Sequence, residues 1–410
     1  MANRKEKERM TWIILLLYGF FNTFDQWTRV LLPFMQWQLQ PRPSLFDLLL
    51  LNSIGNCAVL TGSFFVAQLI DSNGCCTAAI AVTIATAIYQ ILIAQISNYY
   101  LFGIAQLLLV GNHLPMVIDA MIGELVGVDG DDKERTSLIM RLTIPESIAY
   151  AVGPYLAIQV LYMITPSLYA SQVICGCLHL AIALPLIYMM VPDKQHGGHR
   201  SYLPSVEAYR EMFYDSKLQW ALLFLVIVAA PYSAYDQVIR MNLSSHIIFM
   251  PADMAKLAFL LGLTTLACNI FVLPALQARM GPQALLQLSM GVLAVSYLYL
   301  SQVKDYVYLL IGMPLQVLGI CIAYGQLSSQ IMGNVGRANL GKAAALNRGT
   351  QLAASAMAPL ITGYYVDGEE ASILCYVSAF LSVIGVLVVH KYANFMRSHL
   401  HNLPLRAHDE

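Results

Sequence analysis

The chain has 410 residues, 58% of them hydrophobic and 11% charged, with a formal net charge of −1 and a mean hydropathy of +0.61. A soluble domain carries about a quarter of its residues as charges, so this composition excludes a water-soluble globular protein and predicts a polytopic membrane protein. A net charge so close to zero gives no reason to expect a nucleic-acid or polyanion partner.

A helix needs about 20 apolar residues to cross a bilayer. Runs of that kind fall near 11–35, 44–69, 77–97, 100–123, 140–163, 168–190, 218–241, 254–277, 283–302, 305–333, 343–365 and 371–390, which predicts an all-α membrane protein of twelve transmembrane helices. The first run is too long for a leader core and has no A-x-A site behind it, so it reads as a retained span. Basic residues give the orientation, because cytoplasmic loops collect Lys and Arg. If the N-terminus is inside, inner segments hold Arg4, Lys5, Lys7, Arg9, Lys133, Arg135, Arg141, Lys194, Arg200, Arg210, Lys217, Arg279, Arg337, Lys342, Lys391, Arg397 and Arg406. Outer segments hold only Arg42, Lys256 and Lys304. Both termini are therefore expected in the cytoplasm, and the identity of the membrane stays open. The eight cysteines lie in spans or the cytoplasmic turn, where disulfides are not expected, and their spacing fits no zinc site.

The longest polar stretch, 192–217, contains Gly197, Gly198 and Pro204 and follows six predicted spans. It divides the chain into an N-terminal half (1–191), a cytoplasmic linker (192–217, with a short surface helix over 206–214), a C-terminal half (218–391) and a cytoplasmic tail (392–410). The halves share local strings. Asp25-Gln26-Trp27-Thr28-Arg29 and Asp236-Gln237-Val238-Ile239-Arg240 have the pattern D-Q-x-x-R at an offset of 211 residues. Glu146 maps onto Gln351 when Gly153-Pro154 is matched to Ala358-Pro359, an offset of 205, and Gly123 onto Gly333 at 210. Three similar offsets predict parallel six-helix pseudo-repeats.

Two parallel six-helix halves joined by a polar loop resemble the major facilitator superfamily. The turn between the second and third spans is similar to that family's G-x-x-x-D-R-x-G-R-R signature: Asp71 and Gly74 are present, while Ala67, Ser72, Cys75 and Cys76 replace the first glycine and the basic positions. The corresponding turn in the second half keeps Arg279 and Gly281, with Ala278 where the acid would stand. Tyr150-Ala151-Val152-Gly153-Pro154 resembles the end of the family's G-x-x-x-G-P motif. The order of these connections looks most like the organic cation transporter-like branch. The resemblance implies two halves rocking about a central site lined by helices 1, 4, 5, 7, 10 and 11. It also implies that Asp71, Gly74, Gly153, Pro154, Arg279 and Gly281 serve the conformational switch, with a weakened cytoplasmic latch.

Charged residues inside spans mark the candidate site, since each costs roughly 2.5–3.5 kcal/mol to insert. Residues three and four apart share a helix face, so Tyr18, Asn22, Asp25, Gln26 and Arg29 form one polar stripe, and Ser233, Asp236, Gln237 and Arg240 another. Each acid either binds substrate or a coupling proton, or neutralises its own arginine one turn away as an outer gate. Glu146 is a proton or cation site, or the partner of Arg141 or Arg348; Arg348 and Gln351 are expected to face the same water-filled space. His113, beside Gly111, is either a titrating group or a hydrogen-bonded packing histidine, and Asp119 lines the mouth. Gln316, Tyr324, Gln326, Ser328, Ser329 and Gln330 give the tenth span a polar face, towards the cavity or towards neighbouring helices.

No nucleotide-binding glycine loop, nucleophile–His–acid set or metal cluster is present in the sequence, so no enzyme, cofactor or metal is expected. The expected function is secondary active transport of a small organic solute, cationic by the acids on the stripes or anionic by the nearby Arg29, Arg240 and Arg348, with protons as a coupling partner and the chain acting as a monomer in the bilayer. The alternative is a transporter-like receptor or scaffold that no longer transports.

Overall fold

A computed structural model describes residues 2–126, 132–190, 214–246, 250–303, 305–333, 340–365 and 371–401. The short surface helix expected over 206–214 lies outside them, apart from its last residue. The helices are α1 (Ala2–Gln36), α2 (Leu45–Asn73), α3 (Cys75–Ile93), α4 (Tyr99–Gln106), α5 (Leu114–Val126), α6 (Asp132–Met163), α7 (Leu168–Tyr188), α8 (Ser216–His246), α9 (Pro251–Ala267), α10 (Leu273–Gln277), α11 (Pro282–Leu300), α12 (Tyr306–Gly333), α13 (Leu340–Tyr365) and α14 (Ala371–His401). A 3₁₀ turn, Leu107–Gly111, joins α4 to α5, and a π turn, Cys268–Val272, joins α9 to α10. These two composite rods bring the described residues to twelve rods, because a backbone in lipid must satisfy its own hydrogen bonds and a helix does so within one segment.

The sequence places start signals at one end of the bundle. Ser44 and Asp47 form a capping box on α2, with Asp47 N–H donating to Ser44 Oγ at 3.2 Å and Ser44 N–H to Asp47 Oδ2 at 2.8 Å. Asn98 caps α4 and Ser167 caps α7, each accepting backbone N–H groups of the first turn. All three caps lie at the end away from Ala2 and His401, here called the far end. The fourth rod, expected as one continuous span, is broken at Asn112 and His113. Pro115 cannot donate to the Gly111 carbonyl and disfavours helix at the residue before it. The displaced backbone presses on α2, where a Cβ at Gly62 would stand 2.1 Å from the Val110 carbonyl oxygen.

Polarity is inverted relative to a soluble protein. Gln36, Gln172 and His179 are fully buried, whereas Phe64, Phe65, Ile104, Phe380 and Leu387 lie exposed on the outer face. Thr28, Gln90, Gln172, Cys175 and His179 bond one another, or the Phe24 carbonyl, between α1, α3 and α7. Among the described residues, nine rods carry a stretch long and apolar enough to cross a membrane. The other three are α1, α6 and α13, the rods that carry Asp25 and Arg29, Glu146, and Arg348. The chain is a multi-pass membrane protein.

Packing repeats after six rods. In the first half α1 packs on α6 and α7, α3 on α7, and α2 on the 3₁₀ turn. In the second half α8 packs on α13 and α14, α11 on α14, and α9 on α12, which are the same rod pairs shifted by six. Between the halves the main contacts are α6 with α9 and α2 with α13, again equivalent under the shift. Both rely on small residues: a Cβ at Gly262 would stand 2.5 Å from the Ala151 nitrogen, and one at Gly363 would stand 2.3 Å from Leu49.

Candidate functional site

The polar stripe of α1 divides its work. Asn22 donates back to the Tyr18 carbonyl at 2.8 Å, and Gln26 is buried against Gly153 of α6. Asp25 and Arg29 form an ion pair at 2.7 Å, one turn apart, with 20% and 49% of their side chains accessible. Arg29 stands two turns before the end of α1 and stays half-accessible despite the ion pair. Arg29 also lies within electrostatic range of Asp236 on α8.

Gly153 lets α6 approach α1 closely, since a Cβ there would meet the Thr23 carbonyl at 2.4 Å. Glu146 and Tyr150, further back on α6, are half-buried. The Tyr18 hydroxyl donates to Glu146 Oε2 at 3.2 Å. Arg348, exposed on α13, and Glu146 lie within electrostatic range of each other. The partner of Glu146 is thus a tyrosine on α1, with Arg348 at longer range. Tyr150 is in electrostatic range of Asp25, Arg29, Glu146 and Arg348 together. Sequence reading passed over it because a tyrosine in an apolar run carries no charge to attract notice.

From the second half, Tyr324 on α12 is in range of Arg348, Asp236 and Tyr150, and its ring packs edge-on against Tyr232 at 6.4 Å. Asn347 donates to Ser328 Oγ at 2.9 Å, and Gln351 to Asn347 Oδ1 at 3.5 Å, so Asn347 ties α13 to α12. Gln326 and Gln316 are buried between helices. Ser233 and Gln237 on α8 bond Ser355 of α13. The side chain of Arg240 lies outside the described residues.

His113 is buried at the break in the fourth rod, with Nε2 beside Gly62 of α2 and no hydrogen-bond partner for it among the described residues. It packs against α2, at longer range from Arg348. Asp119 is exposed one and a half turns further on, in electrostatic range of Tyr18.

The signature-like turns differ from each other. Gly74 has φ 85° and ψ 165°, a conformation open to glycine alone, and its N–H donates to the Ile70 carbonyl at 3.0 Å, so it forms the corner from α2 to α3. The side chain of Asp71 is outside the described residues. Gly281 has φ −70° and would admit a Cβ freely, while Arg279 is exposed beside it. Pro154 lies within α6 and leaves the Tyr150 carbonyl without its in-helix donor.

This arrangement was compared with known proteins. No family model matches the chain, and no curated protein matches it in sequence. Solved structures do. The peptide transporter POT in complex with sulfate aligns with a TM-score of 0.72 at 13% identity, over 94% of this chain and 94% of that one. The nucleoside transporter NupG aligns with a TM-score of 0.70 at 13% identity, over 93% of this chain and 99% of its own. The human organic anion transporter MFSD10 (TETRAN) aligns with a TM-score of 0.67 at 15% identity, over 93% and 99%. This chain has the major facilitator fold. The full-length coverage means that both six-rod halves and their mutual arrangement are matched.

Proposed function

We propose that the chain is a secondary transporter that moves a small organic solute across a membrane by alternating access of its two halves. One observation carries this reading: Asp25, Arg29, Glu146 and Arg348, from three rods and both halves, all lie within electrostatic range of Tyr150, and the Arg29 side chain stays half-accessible. Charges in a span cost free energy that packing alone does not return, so their gathering at a cavity favours a binding site. The structural neighbours, transporters of nucleosides, peptides and organic anions, support the same reading without naming the solute.

In this reading the halves are 1–191 and 218–391, both termini face the cytoplasm, and the protein works as a monomer. Glu146 is the proton-coupling group, because it is a partly buried acid in a span, and Asp236 is a second acid at the site. The acids favour a solute bearing an amine. The far end, where α2 meets α13, is closed by contacts between the halves.

The test is uptake into proteoliposomes with and without an imposed pH gradient, together with thermal stabilisation by cations, anions, sugars and amino acids. Uptake that depends on the gradient and is lost in Glu146→Gln is the expected result. A folded protein that takes up and binds nothing would shift the reading to a receptor or scaffold.

A further inference from the structure

We infer that the start of α1 and the end of α7 form a binding site for the headgroup of an anionic phospholipid, at the end of the bundle opposite the far end. Lys5, Arg9, Trp12 and Leu16 are spaced four, three and four residues apart, so they share one face of α1, within about 60° of arc. All four are exposed, Trp12 by 67% and Leu16 by 48%. Along the helix this face runs from cationic through aromatic to aliphatic. A bilayer changes in the same order, from headgroups through the interface, where Trp and Tyr gather, to hydrocarbon. Glu6 and Glu8 are also exposed but fall to either side of the face, so the face itself carries only positive charge.

The end of α7 supplies a second wall. Arg9 Nη2 donates to the Met189 carbonyl at 3.3 Å, one residue past the end of α7, and Tyr188 and Met189 are exposed there by 76% and 51%. This bond ties the guanidinium to α7 and uses one of its five N–H donors. Neither Lys5 nor Arg9 forms an ion pair among the described residues. A guanidinium held in place, with an ammonium one turn away, suits a phosphate through charge-assisted hydrogen bonds. The aromatic and aliphatic side chains below it suit the glycerol and acyl region of the same molecule. The bound lipid bridges α7 to α1, the rod that carries Asp25 and Arg29. The site stands whether or not the chain transports.

The experiment titrates phosphatidylglycerol, phosphatidylethanolamine and phosphatidylcholine into the purified full-length protein in detergent and follows binding by native mass spectrometry and by thermal stabilisation. Phosphatidylglycerol should bind at the lowest mole fraction, and high salt should weaken it. Lys5→Gln and Arg9→Gln should each raise its Kd about fivefold while leaving phosphatidylcholine binding unchanged. Lys217→Gln removes an exposed cation at the start of α8 and should leave both lipids unaffected. Equal binding of the three lipids overturns the inference. So does a Lys217→Gln loss as large as the other two, which would mean a diffuse surface charge in place of a site. If Arg9→Gln lowers the thermal midpoint but keeps the preference for phosphatidylglycerol, as Lys5→Gln also does, Arg9 only caps α7 and the inference falls.

Discussion

Asn56 on α2 donates its side-chain amide to the carbonyl oxygen of Ser355 on α13 at 2.9 Å, a hydrogen bond between the two halves. Helix carbonyls are normally taken by the N–H four residues on, but here that residue is Pro359, which has none. The freed oxygen also accepts Gln237 Nε2 at 3.0 Å, and Ser355 Oγ meets Ser233 Oγ at 3.0 Å. A proline in one rod has thereby created an acceptor that α2 and α8 share. Its counterpart in the repeat, Pro154, frees the Tyr150 carbonyl where Gly262 of α9 comes closest.

Asn56→Leu should therefore weaken the closure of the far end. A hydrogen bond between membrane helices is worth about 0.6 kcal/mol on average, and a fall in thermal midpoint of that order is expected. In a Pro359→Ala background the new N–H at 359 claims the carbonyl, so Asn56→Leu should cost less there. The double-mutant cycle measures the coupling directly, and equal losses in both backgrounds would contradict the role given to Pro359.

Removing one member of the Asp25–Arg29 pair leaves a charge in the bundle without its counter-ion. Asp25→Asn and Arg29→Gln should each reduce stability, and the double variant should be less harmful than the sum of the two. The physical reason is that a partly buried charge without its counter-ion costs more than a missing pair. Denaturation in detergent at low and high salt checks this, and additive losses would refute it.

The glycines should separate sharply by position. Gly153→Ala places a Cβ 2.4 Å from the Thr23 carbonyl, and Gly262→Ala places one 2.5 Å from the Ala151 nitrogen. Backbone has to move in either case, at about 1–3 kcal/mol. Gly74→Ala should cost a similar amount through its backbone conformation, at φ 85° and ψ 165°. Gly281→Ala should be neutral within about 0.5 kcal/mol, since nothing lies within 4 Å of the added carbon. Thermal midpoints of the four variants measure the ranking.

Tyr18→Phe removes the hydroxyl that donates to Glu146 Oε2 at 3.2 Å. Stability should fall by about 0.5–1.5 kcal/mol. If Glu146 couples protons, the pH dependence of uptake should also move, because the carboxylate loses a donor that favours its charged form. An unchanged pH profile alongside a lowered midpoint would leave Tyr18 with a purely structural role.

The sequence by itself determined the class of fold and the polar stripes. Span number follows from hydropathy, because lipid enforces one helix per apolar run. The Asp25–Arg29 bond follows from spacing, because four residues is one turn. The break in the fourth rod was signalled by Gly111 and Pro115, and went unread because the surrounding run is apolar enough to be a continuous span. What only the tertiary structure decided is how each rod is rotated and which rods meet. Glu146 finds Tyr18 across 128 residues, and Asn56 finds Ser355 across 299. Those pairings depend on where Gly153 and Gly262 let backbones touch and where Gly363 admits the Leu49 side chain, and a periodic hydropathy pattern holds no information about contacts between helices that are all apolar outside.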